Sequence, residues 1–193
     1  MGKEKDDLKN YKEKRNTKKS GEPEAKKSKS DKNRFSFQKH DAQNLHYDFR
    51  LECDGVLKSW AIPKGPSTDT SEKRLAIRTE DHPVDYIHFE GKIPEGEYGA
   101  GPVLLWDKGT YKNITEKDDE IKDLKKAIED GHFMVDLDGE KIKGGYAFTR
   151  TDKDEGQWLM VKMDDDKADA RRNPTSTEPE SVKSGKKIED IDD

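Results

Sequence analysis

The chain has 193 residues, of which 28% are apolar and 42% charged, with a formal net charge of −5. That length suits one domain with tails, and the apolar share is too small for every residue to join a packed core. A single cysteine, Cys53, excludes an intrachain disulfide and a thiolate zinc cluster within one chain, and no apolar run reaches the length of a membrane span.

Residues 1–34 hold 13 Lys/Arg against 7 Asp/Glu, with almost no large apolar residue after Tyr11, and read as a basic arm. The arm has no apolar leader, so a cytoplasmic location is expected. Alternating and β-branched runs predict strands over 35–40, 45–52 and 56–62, the last two joined by an Asp54-Gly55 hairpin turn. Another strand is expected over 73–79, and two short ones over 102–106 and 109–112 around a Lys108-Gly109 turn. Residues 115–130 predict a helix, with Thr115 as N-cap, an apolar stripe at Ile121, Leu124, Ala127 and Ile128, and Gly131 as its stop. Strands over 132–137, 141–150 and 157–163 follow, with a hairpin at Asp138-Gly139 and a bulge at Gly144-Gly145.

Residues 164–193 carry 10 Asp/Glu against 6 Lys/Arg and no periodic apolar face, and read as a solvated acidic tail. Removing both ends leaves about −7 on the middle, so any contact with a polyanion must be local there. Many short strands at hairpin spacing predict a mainly β fold, an antiparallel barrel or closed sandwich, with one amphipathic helix and weakly ordered ends. Domain limits are expected at 1–34, 35–163 and 164–193.

The segment HDAQNLHYDFR, residues 40–50, carries the chemistry. Period-two alternation turns Leu45, Tyr47, Phe49 and Leu51 to one face and His46, Asp48 and Arg50 to the other. If the neighbouring strands pair, His40 joins His46 and Asp48. Two imidazoles and a carboxylate suit manganese, zinc or iron and leave positions open for substrate. The alternative is an ordinary wet face in which Asp48 pairs with Arg50.

A second polar row runs through LAIRTEDHP, where Arg74, Glu80 and His82 share parity if the strand continues. Lys64 in AIPKGPS adds a further cation, and with Arg50 and Arg74 the set suits a phosphate. Residues 90–101, EGKIPEGEYGAG, are glycine-rich around Tyr98 but lack the order of a phosphate-binding loop, and are read as a barrel-corner turn. Cys53 is read as inert, and Trp60, Trp106 and Trp158 as core or rim aromatics.

The stretches QKHDAQNLHYDFRLECDGVLKSWAIPKGPS, EDHPVDY, GKIPEGEYGAG, GEKIKGGYAFTR and QWLMVKM resemble the 3′-phosphoesterase module of bacterial DNA ligase D. The resemblance covers residues 35–163 with no polymerase or ligase segment attached, as in stand-alone forms of the module. It implies a barrel-like β fold and a manganese enzyme, zinc or cobalt being alternative occupants, that heals DNA 3′ ends. A phosphodiesterase step removes a 3′-terminal ribonucleoside, and a phosphomonoesterase step converts the remaining 3′-phosphate to a hydroxyl.

By motif, His40, His46 and Asp48 match the family's metal ligands, and Arg50 and His82 the groups that hold the phosphate. His82 is further read as a proton donor to the leaving oxygen. Gln38, Lys64, Arg74, Glu80 and Tyr86 match other positions around the site. In the arm, YKEKRNTKKSGEP keeps Arg15, Glu22 and Pro23 but places Asn16 where the family has Asp, which bears on the diesterase step.

DNA 3′ ends are the implied partner, with a separately encoded ligase and polymerase alongside, and a monomer is expected. Two rivals remain: a nonenzymatic DNA-end-binding module, and an iron oxygenase with His46, Asp48 and His132 as its triad.

Overall fold

Alternation of aromatic and polar residues, broken by glycine and aspartate turns, builds a closed antiparallel barrel. The computed structural model describes residues 8–28, 32–151 and 156–192. Strands β1 (Arg34–Asp41), β2 (Leu45–Cys53), β3 (Val56–Ile62) and β4 (Lys73–Pro83) run as consecutive antiparallel neighbours. Then β4 pairs with the last strand, and the barrel returns through β11 (Gln157–Lys162), β10 (Lys143–Arg150), β9 (His132–Gly139) and β6 (Gly101–Asn113), which closes on β1. Short β5 (Gly91–Ile93) adds to the rim of β6. Closure leaves no long unpaired edge among these eight strands.

The inward residues are aromatic. Phe133 and Phe148 stack with centroids 4.7 Å apart, and Phe49 stacks on Phe148 at 5.1 Å. Trp60, Trp106 and Trp158 complete this core, and Cys53 is buried within it. Each such Phe contributes about 1.5–3 kcal/mol by leaving water. At the β2–β3 turn Asp54 (φ 54°) and Gly55 (φ 77°) both take the left-handed conformation, which is why a two-residue Asp-Gly hairpin is stable there.

The structure departs from the sequence expectations in several places. Residues 115–130 are not one helix. The Thr115 hydroxyl donates to the Met134 carbonyl and accepts from the Met134 N–H, which holds residue 115 against β9. The chain then makes a small hairpin of β7 (Glu116–Lys117) and β8 (Glu120–Ile121), leaving Ile121 55% exposed. The helix, α3 (Leu124–Asp130), starts only after Asp123, whose carboxylate accepts from the Lys126 N–H; Gly131 stops it at φ 91°.

In the second departure, the expected turn at Lys108-Gly109 is straight strand. Gly109 instead lets β9 approach, since a Cβ there would lie 2.0 Å from the Asp138 carbonyl oxygen. Third, the β9–β10 hairpin turns at Glu140-Lys141, two residues beyond the expected Asp138-Gly139, with the Gly139 N–H donating to the Ile142 carbonyl at 2.9 Å; buried Asp107 holds the turn there by accepting from the N–H groups of Glu140, Lys141 and Ile142. The Gly144-Gly145 pair keeps register across this hairpin with no bulge; its small size makes room for Lys162 and Met163.

Fourth, residues 164–192 form a strap along the barrel where a solvated tail was expected. Thr68 donates to the Asp169 carbonyl, α4 (Pro174–Thr177) buries Pro174, and the Trp106 indole N–H donates to the Glu178 carbonyl at 2.8 Å. The Lys141 ammonium donates to the Glu178 and Glu180 carbonyls, and Ile188 and Ile191 pack on the core. The anchoring residues are scattered, so no period reveals them. Truncation after Met163 is expected to lower the melting temperature by roughly 5–10 °C, read by circular dichroism, because Trp106 and Lys141 lose buried acceptors.

The basic arm is also seated on the barrel over the residues described. Helices α1 (Lys9–Lys14) and α2 (Thr17–Ser20) bury Leu8 and Tyr11, and Tyr11 forms a second apolar cluster with Leu57, Val84, Tyr86 and Ile87. Residues 1–7 and 29–31 of the expected arm and residue 193 of the expected tail lie outside the described residues. No helix among the described residues is long and apolar enough to cross a membrane.

Candidate active site

The site lies on the outer face of β1–β4. Tyr47, Phe49, Leu51 and Cys53 point into the barrel, so the alternate residues His46, Asp48, Arg50 and Glu52 point out. The β1–β2 register sets His40 directly opposite His46 and Gln38 opposite Asp48. The three expected ligands therefore meet, each offering an atom within 4.8 Å of the others.

Their orientation is fixed by the backbone. His46 Nδ1–H donates to the Asn44 carbonyl at 2.9 Å, leaving the Nε2 lone pair 3.2 Å from Asp48 Oδ2. His40 Nε2–H donates to the Gly99 carbonyl at 2.6 Å, leaving Nδ1 3.6 Å from the same oxygen. Two imidazole nitrogens and a carboxylate aimed at one point fit a divalent transition ion, and carbonyls on the far nitrogens are the usual way such rings are held. Burial opposes the charge of Asp48, but Arg50 and the two imidazoles beside it outweigh it and hold the carboxyl well below its usual range.

Beside this set lies a cluster of buried donors. Arg50 donates from Nε to Gln38 Oε1 at 2.9 Å and reaches Asp48 at 3.6 Å; Gln38 is itself fixed by donating to the Tyr86 and Phe89 carbonyls. His82 Nδ1–H donates to the Glu80 carbonyl at 2.9 Å, and its Nε2 accepts from Arg15 at 3.2 Å. Arg15 comes from the arm and is bound at 2.9 Å both by Glu22 of the arm and by Glu80 of β4. Tyr86 donates to Glu22 at 2.7 Å. A cavity of about 580 Å³ joins these residues, with His40, His46 and Asp48 on one side and Arg15, Glu80, His82 and Tyr86 on the other.

Burial, then Arg50 and Arg15, push His82 well below the usual imidazole range. Its folded pKa is thus below its unfolded value near 6.5, and the unfolded chain takes up a proton that the native state refuses. Stability from this group is full above about pH 6.5 and falls as pH drops toward the native pKa. Tyr11 and Tyr86 pack on the ring, and the neighbouring Glu80 carboxyl, which burial would raise, is held below its usual range by Arg15 and so titrates in a lower window. His82→Asn should flatten the loss of melting temperature between pH 7 and pH 5; an unchanged slope in thermal melts would refute the neutral assignment.

Two expected site residues are elsewhere. Arg74 pairs with Glu72 at 2.6 Å and lines a separate cavity with Lys64 and Pro63. The shared parity of Arg74 and His82 is broken by a register shift opposite Lys58, which puts both Thr79 and His82 on the outer face while Arg74 sits opposite Met160, a core residue. His132 bonds Thr149 at 2.9 Å and lines none of the site cavity, so the third imidazole-or-carboxylate position is held by His40. Asn16 is exposed; its backbone carbonyl accepts from Lys19 and Ser20 to start α2.

Sequence reasoning missed Ser59, Tyr11 and Tyr98. Ser59 approaches His82 Nδ1 at 3.4 Å, and its outward position follows from Trp60 being inward. The Tyr11 ring packs edge-on against His82, with centroids 5.2 Å apart. Its only sequence signal was being the last large apolar residue of the arm.

These features define a closed β-barrel with a candidate metal centre set beside a buried cluster of arginine donors. A profile of the DNA ligase D 3′-phosphoesterase domain matches residues 38–150, and the chain belongs to that family. It is 46% identical over 166 residues to the multifunctional non-homologous end joining protein LigD of Pseudomonas aeruginosa, covering 83% of this chain and 19% of that protein. It is 46% identical over 164 residues to the LigD repair protein of Mycobacterium tuberculosis (84% and 20%) and 43% identical over 166 residues to that of Mycolicibacterium smegmatis (84% and 21%). The chain spans about a fifth of the length of these relatives.

Proposed function

We propose that this chain is a manganese-dependent phosphoesterase that heals DNA 3′ ends in end joining. The observation that carries the reading is one cavity in which His40 Nδ1, His46 Nε2 and Asp48 converge beside Arg50, Arg15 and His82. His40, His46 and Asp48 would hold the divalent ion, manganese or alternatively zinc or cobalt, which when bound would supply Lewis-acid charge to the phosphate. Arg50 and Arg15 bind the phosphate's other oxygens as charge builds. His82, kept neutral, orients Arg15 through Nε2, in place of the proton-donor role expected of it.

In the diesterase step, water attacks phosphorus, the bond to the 5′-oxygen of the terminal ribonucleoside breaks, and a 3′-phosphate remains. A second water then displaces the 3′-oxygen, leaving a hydroxyl and inorganic phosphate. Gln38, Glu80, Tyr86 and Glu22 hold the two arginines in place. Lys64 and Arg74 contact the strand beyond the site, in their own cavity. We place the protein in the cytoplasm as a monomer acting alongside ligase and polymerase activities.

The test is a labelled primer-template ending in one ribonucleotide, incubated with manganese. Conversion to a 3′-phosphate and then a 3′-hydroxyl is expected. Accumulation of unprocessed ribonucleotide ends with active removal of a preformed 3′-phosphate would show that Asn16 has cost the diesterase step. An end bound but unchanged in both cases would mark a nonenzymatic binding module.

A further inference from the structure

The glycine-rich corner between β5 and β6 carries an aromatic side chain that the fold does not need. Tyr98 is 47% exposed, belongs to neither apolar cluster, and lines the same cavity as the three ligands and the arginines. Tyr86, also on the cavity, is buried and bonded to Glu22, so Tyr98 is the aromatic whose surface is open to a ligand.

Its loop is held rigidly. Ala100 N–H donates to the Glu97 carbonyl at 3.1 Å and Glu97 N–H to the Pro94 carbonyl at 3.2 Å. Gly99, at φ 74°, lies so close to His40 that an added Cβ would meet Cε1 at 3.3 Å, and its carbonyl accepts from the His40 ring. The loop that orients a metal ligand therefore also sets the Tyr98 ring. Lys14 Nζ and Arg15 Cζ each lie 5.1 Å from the ring centroid, so the ring is steered by cations next to the phosphate cluster.

A fixed, exposed ring beside an anion site is the arrangement that binds nucleotides without reading them, since every base offers a π-face. We propose that Tyr98 is the stacking platform for the base of the 3′-terminal nucleoside. The inference rests on the phosphoesterase reading above. It predicts that the site takes all four bases alike and loses affinity when the terminal base is missing.

The test compares the full chain with Tyr98→Ala and Tyr98→Phe on two manganese-treated ends, one with a terminal ribonucleotide and one with an abasic ribose at that position. Tyr98→Ala should raise KM for the base-bearing end roughly 5- to 100-fold at little change in kcat, and leave the abasic end within about twofold. Tyr98→Phe should match the wild type. Equal losses on both ends would overturn the inference and assign Tyr98 to seating Lys14 and Arg15. If the wild type turns over neither end, the phosphoesterase reading fails instead. The platform is then decided by fluorescence-anisotropy Kd values for the same two ends without metal, where a ratio unchanged by Tyr98→Ala overturns it.

Discussion

Replacing His46 with alanine is expected to remove stoichiometric manganese binding and to lower phosphate release from a 3′-phosphate end by at least about a thousandfold. The reason is geometric. His46 Nε2 is held toward Asp48 Oδ2 at 3.2 Å by the Asn44 carbonyl on the opposite nitrogen, so its lone pair has one direction in which to act. Without it, His40 and Asp48 are a two-point site, too weak to hold a transition ion against water. His46 is outside both apolar clusters, so the variant should fold, with a melting temperature within about 5 °C of wild type. Titration calorimetry decides the matter: a variant that still binds one manganese per chain would show the ligand assignment to be incorrect.

Arg50→Ala should be nearly as damaging to activity, by about a hundred- to a thousandfold, and costlier to stability. Arg50 is buried and is shared among Gln38, Asp48 and His82. Removing it strands a buried carboxylate and a buried amide oxygen, a loss of about 3 kcal/mol in chemical denaturation. Arg50→Lys should restore part of the stability and little of the activity. A single ammonium cannot bond Gln38 from one nitrogen while reaching His82 and Asp48 from two others. Activity in the lysine variant within about threefold of wild type would show that charge alone suffices and that the guanidinium fork is unimportant.

The metal set was legible because it sits on two strands joined by a short turn. His40, His46 and Asp48 are eight positions apart at most, and antiparallel pairing of adjacent strands brings such residues together almost by default. Arg50 and Gln38 follow from the same register. The family motifs extended this to His82, Glu80 and Tyr86, all of which line the cavity.

Arg74 shows the limit of that reasoning. Parity counted along a strand holds only while the register holds, and the shift opposite Lys58 turns the far half of β4 over. Arg15 was named through the family motif and by no local pattern. Its place beside His82 depends on Tyr11 packing under the arm against Leu57 and Tyr86, a contact between segments about 45 residues or more apart. The helix expected from residue 115 failed for a related reason. Its apolar stripe was real from Leu124 onward, but Thr115 found a stronger partner in the Met134 backbone than a helix N-terminus offered.

Local sequence by itself determined the strands, the Asp54-Gly55 turn, the inward aromatic row and the His-His-Asp set, since all of these depend on alternation and short-range pairing. Tertiary structure alone decided which strand and loop cations reach the site, that the acidic end straps the barrel, and that Tyr98 stands open beside the ligands. Those outcomes arise from barrel closure and from packing between distant segments, whose free energy resides in contacts that do not exist until the chain has folded.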